Sequence, residues 1–281
     1  MEGEPIRITD LTELHSRLYQ LLCTVDDICE KESLRYFLDS GTEIGAVRDR
    51  NFIPWDDDMD IKVLAEDLEN FVRVMKRCLP PYLHIIGPDA FHPGFYDFNY
   101  RIYDDRYVLR DADDESAYYK DLDRYLGTDI FVITHAPTTR FGQSLYLFGI
   151  KLLYGLSMAH RFHTKSAKYT TLQKIEVGIL RGLGKLLPAS WLNKCFWKHV
   201  TKYQSRETGW RFPCNFPIPE LNRKPFIPAH VYSETVRFPL KERSFPVPSG
   251  YDEELTILYG SYMVPDRDPE KYKVHLQQAD E

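Results

Sequence analysis

The run Trp55-Asp56-Asp57-Asp58-Met59-Asp60-Ile61 constrains this chain more than any other. Acid and apolar residues alternate at its end. On an extended backbone, a period of two places Asp58 and Asp60 on one face and Met59 and Ile61 on the other. Two carboxylates side by side repel, and burying them is costly unless a cation joins them. Hard oxygen ligands of this kind suit Mg²⁺ or Mn²⁺, with substrate phosphates completing the shell. The plain alternative is a solvated acidic turn, which is what most acidic runs are. An EF-hand loop is excluded. With Asp56 as its first position, the sixth and twelfth places hold Ile61 and Asp67 instead of Gly and Glu.

What precedes the acids favours a site. Tyr36-Phe37-Leu38 reads as a strand running into Asp39-Ser40-Gly41-Thr42, with a helix starting near Glu43. Gly41 allows a tight turn and a close backbone approach to a ligand. A helix start behind it would aim amides at an anion. A phosphate-cradling turn followed by a two-acid strand is a physical recipe for metal-assisted phosphoryl transfer.

The stretch GTEIGAVRDRNFIPWDDDMDI closely resembles the signature of the LicD family, G-T-L-L-G-A-V-R followed after a short spacer by F-I-P-W-D-D-D-I-D. The tail FPVPSGYDEELTILYGSYM is similar to that family's ending. The likeness brackets residues 11–265 and is weak between 145 and 225. It implies an α/β (α+β) fold: a nucleotidyltransferase-like mixed sheet with flanking helices, here joined by a basic helical segment. The activity it implies is transfer of a phosphorylated headgroup, such as phosphocholine or an alditol phosphate, from a CDP-activated donor to a glycan or lipid-linked glycan hydroxyl. CMP would be released.

Gly127-Thr128-Asp129-Ile130-Phe131-Val132-Ile133 reads as a buried strand with one acid near its start, which either caps a turn or serves a site. The family has D-I-F-P-L-D here, so the resemblance implies Asp129 as the third acid. Val132 and Thr134 depart from the pattern, and nothing attached to its second Asp carries over. The expected metal and catalytic set is thus Asp58, Asp60 and Asp129 around Mg²⁺ or Mn²⁺, with Asp129 as base or positioning group. Gly41, Thr42, Arg48, Asp56 and Asp57 are the expected substrate-binding residues. Gly41 and Thr42 would face the phosphates, and Arg48 would clamp the diphosphate or else pair with a nearby acid. Asp56 and Asp57 would orient the ligands. Trp55 either stacks on a base or packs beneath the loop.

Composition bounds the rest. A chain of 281 residues with net charge −6 and 14% aromatics folds around a sizeable core. Five scattered cysteines without C-x-x-C spacing argue against zinc or a disulfide framework and for a reducing compartment. The start Met-Glu-Gly-Glu has no secretory pattern, and Leu145 to Ala159 is too short to span a bilayer, so a cytoplasmic protein is expected.

Three parts are expected: a catalytic core over 1–144, a basic amphipathic helical segment over 145–206, and a Pro/aromatic-rich part over 207–281 packing on the core. Apolar spacing predicts helices over 9–30 and 65–79. Strands are expected at Tyr82–Ile86, Phe95–Tyr103 and Arg106–Arg110, with little regular structure over 207–250. Tyr259, Tyr262 and Met263 are expected in the core. Segment 145–206 holds eleven Lys or Arg against Glu176 alone, about +10, which leaves about −16 elsewhere. Its bases interleave with Leu, Ile, Phe and Trp. That pattern suits peripheral contact with an anionic membrane or a phosphate-rich acceptor. Equally, it suits a helical subdomain whose bases pair with the acidic remainder. Nucleic acid is not expected, since no recognisable module accompanies the charge.

Two rival functions are open, the first of which needs the same three acids. One is transfer of a nucleotide itself to a small hydroxyl acceptor. The other is a non-catalytic membrane-surface or interaction protein.

Overall fold

A computed structural model describes residues 4–88, 98–161 and 170–265. Strand β1 (Ile6–Arg7) precedes helix α1 (Leu11–Glu32), whose start is fixed by the Asp10 carboxylate accepting from the Glu13 amide. Leu14, Leu18, Leu21, Leu22 and Val25 form one buried stripe on α1. Each such side chain contributes roughly 1.5–3 kcal/mol by leaving water. Strand β2 (Phe37–Leu38) leads into α2 (Ser40–Ile44), which continues as a π-helical turn over Gly45–Asp49. The helix therefore starts three residues before the expected Glu43. Ser40, with φ at 49°, makes the left-handed turn.

Then come β3 (Asp60–Leu64), α3 (Leu68–Cys78), β4 (Leu83–Ile86) and β5 (Tyr100–Val108). The two strands expected over 95–110 are one strand with an irregular register between Asp104 and Val108. Residues 95–97 of that expectation lie outside the described residues. Next are α4 (Asp114–Tyr118) and β6 (Tyr125–His135). Three helices come after β6, namely α5 (Arg140–Ser157), α6 (Thr171–Gly184) and α7 (Ala189–Val200).

The C-terminal part is more regular than its prolines predict. It holds β7 (Trp210–Pro213), α8 (Ile218–Leu221), β8 (Ile227–Pro228), the hairpin β9 (Thr235–Leu240) and β10 (Arg243–Pro248), and α9 (Tyr251–Tyr259). Pro213 and Pro228 sit at the ends of short strands, where a missing N–H costs the ladder little.

The main sheet is mixed and eight-stranded, in the order β1-β5-β6-β3-β2, with β4 on β5, and β7 joining β6 to β8. Strand β6 is its axis. One edge pairs parallel with β3, and the other takes β5 and then β7 antiparallel. This is the expected α/β class with a mixed sheet.

The main buried cluster runs from Ile8 to Leu258, and a smaller one joins Ile44, Leu255 and Tyr262. The main one includes Tyr146, Ile150 and Phe196 from the basic segment and Phe212 and Phe245 from the C-terminal part. Residue 144 lies inside α5, so no element boundary falls there. Tyr262 is buried and Tyr259 half-buried, but Met263 is 55% exposed and not in the core. Met263 comes after the turn at Gly260 that takes the chain off α9 and outward. No helix among the described residues is long and apolar enough to cross a membrane.

Candidate functional site

Strand β3 enters its ladder only at Asp60, with Asp58 in the loop before it. Burial nonetheless alternates back through the loop. Asp57, Met59 and Ile61 are buried, while Asp58 and Asp60 are partly open. The period of two thus holds beyond the hydrogen-bonded strand. The Met59-Asp60 backbone is fastened on both sides: Asp39 N–H donates to Asp60 O (3.0 Å) and Asp129 N–H donates to Met59 O (3.3 Å).

Register brings in the third acid. Asp60 and Asp129 are direct partners across the parallel β3–β6 pair, so their side chains leave the sheet on one face. On the far edge of β6, Asp129 faces Arg101 of β5. Arg101 Nη1 donates to Asp129 Oδ1 (2.8 Å) and Nη2 to Tyr125 O (3.1 Å). The guanidinium crosses Gly127, where a Cβ would lie 2.9 Å from Arg101 Nε and 2.6 Å from Ile102 O. Asp57, Asp58, Asp60, Asp129, Arg101 and Gly127 line one depression, with Leu18 of α1 at its wall.

Asp56 closes the group. Its carboxyl is pushed up to about 9 by burial, then by the charge of Asp58 and a hydrogen bond to it. Burial also drives Asp60 well above the usual carboxylate range, reinforced by Asp58, Asp129, Asp39 and Asp56. Carboxyls this close cannot all ionise without a compensating cation. The Asp56 loop is held by His15 of α1, whose Nε2–H donates to Asp56 O (2.7 Å) while its ring stacks on Phe52. An all-carboxylate donor set around an open depression fits a hard divalent cation such as Mg²⁺ or Mn²⁺.

The expected substrate-binding residues divide. Gly41 lies against the acids, because a Cβ there would come within 2.2 Å of Asp56 Oδ2. Thr42 is buried and its hydroxyl accepts from Asp60 N–H (3.0 Å), so it braces the strand start. Arg48 is occupied elsewhere. It makes a bidentate pair with Asp49 (2.8 and 2.7 Å) and donates to Tyr262 O (3.0 Å). Trp55 is half-buried.

Further along the same face of β3 lies a second charged group that the acidic motif does not announce. Lys62 Nζ, fully buried, meets Glu43 Oε2 (2.7 Å), Glu254 Oε1 (2.7 Å) and Asp39 Oδ1 (3.2 Å). Tyr232 OH donates to the same Glu254 oxygen (2.6 Å). The three carboxylates are spaced closely enough to hold a metal ion, but the ammonium already supplies the cation. Burial would lower the Lys62 pKa, yet Glu254, Glu43 and Asp39 together raise it well above its usual value. Sequence reasoning does not reach Arg101, His15 or this cluster. The one signal for the cluster is Lys62 itself, a lysine inside the apolar strand Asp60-Ile61-Lys62-Val63-Leu64.

The family model for the LicD/FKTN/FKRP nucleotidyltransferase domain matches residues 33–100. The matched span runs from β2 through β3 to the start of β5 and contains every acid of the depression except Asp129. The LicD likeness extends further. The chain is 24% identical over 289 aligned residues to the lipopolysaccharide cholinephosphotransferase LicD of Haemophilus influenzae, covering 96% of this chain and 99% of that protein. It is also 40% identical over 58 residues to an uncharacterised protein of Rickettsia typhi, covering 21% and 19% of the two chains. An uncharacterised protein of Rickettsia prowazekii is 44% identical over 50 residues, covering 18% and 19%.

Proposed function

We propose that this LicD-like chain is a transferase that moves a phosphorylated headgroup from a CDP-activated donor to a sugar hydroxyl of a glycan or lipid-linked glycan, with peripheral contact to the membrane. The observation that carries this reading is the convergence of Asp58, Asp60 and Asp129 on one depression inside the LicD-like core, with the Asp56 carboxyl hydrogen-bonded to Asp58. The end-to-end similarity to a lipopolysaccharide cholinephosphotransferase supports phosphocholine as the headgroup class.

In this reading Asp58, Asp60 and Asp129 would hold one or two Mg²⁺ ions, which would supply charge neutralisation of the diphosphate and of the entering and leaving oxygens. Gly41 leaves room for the Asp56 carboxyl, Asp56 holds Asp58, and Arg101 fixes the Asp129 carboxylate. The acceptor oxygen forms a bond to the headgroup phosphorus, the bond from that phosphorus to the bridging diphosphate oxygen breaks, and CMP leaves. The hydroxyl proton passes to Asp129 or to solvent. Phosphoryl transfer depends mainly on positioning and charge stabilisation, so a strong base is not required.

Transfer of the nucleotide itself is the second reading, favoured by the nucleotidyltransferase description of the matched domain. The product separates the two, because headgroup transfer releases CMP and nucleotidyl transfer releases pyrophosphate. The test is thermal stability with CDP-choline, CDP-alditols and CTP, each with Mg²⁺ and with chelator, then product analysis. A ligand at a hundred times its dissociation constant adds about 2.7 kcal/mol. Metal-dependent stabilisation by a CDP conjugate, lost in Asp58→Asn, is expected. Response to CTP alone, with pyrophosphate release, would replace this reading with the second. Turnover in Asp60→Asn should fall more than about a hundredfold, beyond what losing an outer-shell partner costs. Near-wild-type turnover would remove the metal assignment.

A further inference from the structure

Helix α5 is apolar on both sides. Tyr146, Ile150 and Tyr154 enter the core, while Phe141, Leu145, Phe148 and Leu152 form a second stripe on the opposite side and are exposed, Phe141 to 81%. A helix that is hydrophobic all round is normally covered on both faces. Helix α6 repeats the feature. Leu172, Ile175, Ile179 and Leu183 recur at helical spacing on its outer side, Leu172 at 66% exposure, and Gly184 is its one buried residue.

The two helices are neighbours in one lobe. Leu180 packs at Gly155, and Gly184 sits against Leu156 O so closely that a Cβ there would clash. Helix α7 adds an exposed Trp191 on the same side of its axis as Lys194 and Lys198. Single exposed apolar side chains need no explanation, but consecutive stripes on adjacent helices do.

The charge around the stripes selects the occupant. Lys194 and Lys198 lie beside Trp191 on α7, while Lys174, Arg181 and Lys185 stand on the side of α6 away from its stripe, which Glu176 borders; among the described residues none of these five bases makes an ion pair. Among the described residues, then, these bases are not spent on acidic side chains. A lobe that carries exposed apolar stripes together with bases unpaired among the described residues, two of them beside an exposed tryptophan, is complementary to an anionic bilayer surface. The apolar side chains enter the acyl boundary, the lysines meet lipid phosphates, and the indole sits at headgroup level.

We infer that the α5–α6–α7 lobe docks this protein onto the surface of an anionic membrane, lying on it and not crossing it. This deepens the transferase reading by making the acceptor lipid-linked, and for the acceptor alone it rests on that reading. The surface stands on its own geometry.

The test is co-sedimentation of the full chain with vesicles of phosphatidylglycerol mixed with phosphatidylethanolamine, against pure phosphatidylcholine vesicles. Wild type should bind the anionic vesicles, and added salt should weaken binding. Leu172→Ser with Ile175→Ser and Ile179→Ser should reduce partitioning about tenfold or more. Lys194→Glu with Lys198→Glu should do so on the anionic vesicles. All five side chains are outside the core, and an unchanged melting temperature verifies that each variant folds. Absence of wild-type binding, or binding indifferent to both variants, overturns the proposal. So does a wild-type dimer by light scattering that the serine variant dissociates, because the stripes would then be covered by a second copy. Stabilisation by CDP conjugates, measured without vesicles, should persist in both variants, which separates the fate of this surface from that of the transferase reading.

Discussion

At the scale of single residues, the site rests on close approaches more than on special conformations. Gly41 has no left-handed φ, and what it provides is room, since Asp56 Oδ2 occupies the place of a Cβ. Gly41→Ala should therefore displace a carboxylate and leave the core intact. The expected outcome is a loss in stability below about 1 kcal/mol, as for a change outside the core. Mg²⁺-dependent stabilisation and turnover should nonetheless fall clearly. Calorimetry with and without Mg²⁺ checks both, and an unaltered metal response would remove the role given to Asp56. Asp58 and Asp60 are legible in the sequence because acids alternating with apolar residues specify a face. Arg101 is not, because its partner is set by the β5–β6 register and by the gap at Gly127. Neither is a local property of the chain.

At the scale of elements, β3 joins two charged groups on one face, Asp60 toward the depression and Lys62 toward α2 and α9. Removing one partner from a buried ion cluster typically costs about 3–5 kcal/mol, because the remaining charges are left uncompensated. Lys62→Met should show a loss of that order in urea unfolding, and a loss below about 1 kcal/mol would mean the carboxyls are already neutral. Asp39 makes a sharper test. Burial, opposed by Lys62 and aided by the charge of Glu254, raises its pKa to about 6 from an unfolded value of 3.8. The folded state holds this proton more tightly, so the stability it confers is full below pH 3.8 and is lost as pH rises through 6. Each pH unit between those two values is worth about 1.36 kcal/mol, so wild type should lose about 3 kcal/mol relative to Asp39→Asn between pH 4 and pH 7. Parallel profiles for the two proteins, measured in chelator, would refute the assignment. Helices α1 and α3 are legible because their apolar spacing is long and regular. The short strands over 207–250 are not, since prolines that strands tolerate, at their ends as in β7 and β8 or within the two-stranded hairpin β9–β10, look the same in sequence as prolines that prevent strands.

At the scale of the whole molecule, the sequence divides more readily than the structure does. The composition breaks sharply at residue 145, yet α5 runs through that point and places Tyr146, Ile150 and Tyr154 in the main core. Strand β6, which carries Asp129, takes β7 along its second half. Lys62 draws one of its three carboxylates from α9, nearly two hundred residues away. Arg48, inside the signature, donates to Tyr262 O near the other end. The part that carries the acidic depression therefore draws packing and charge balance from segments that composition assigns elsewhere. A chain stopped after residue 144 would expose the β6 edge and leave Lys62 one carboxylate short. Apolar side chains that now pack on Phe212, Phe245 and Leu258 would face water. Such a fragment should show no cooperative unfolding transition. A chain stopped after residue 250, which loses only α9 and the tail beyond it, should unfold at distinctly lower urea than the full protein, by an amount comparable to Lys62→Met. Near-UV circular dichroism through a urea titration measures both. A cooperative transition in the 1–144 fragment would show that the signature region is an autonomous domain. Its absence, with a weakened but cooperative 1–250 chain, would mean that the acidic depression is built by the whole chain around a motif of some twenty residues.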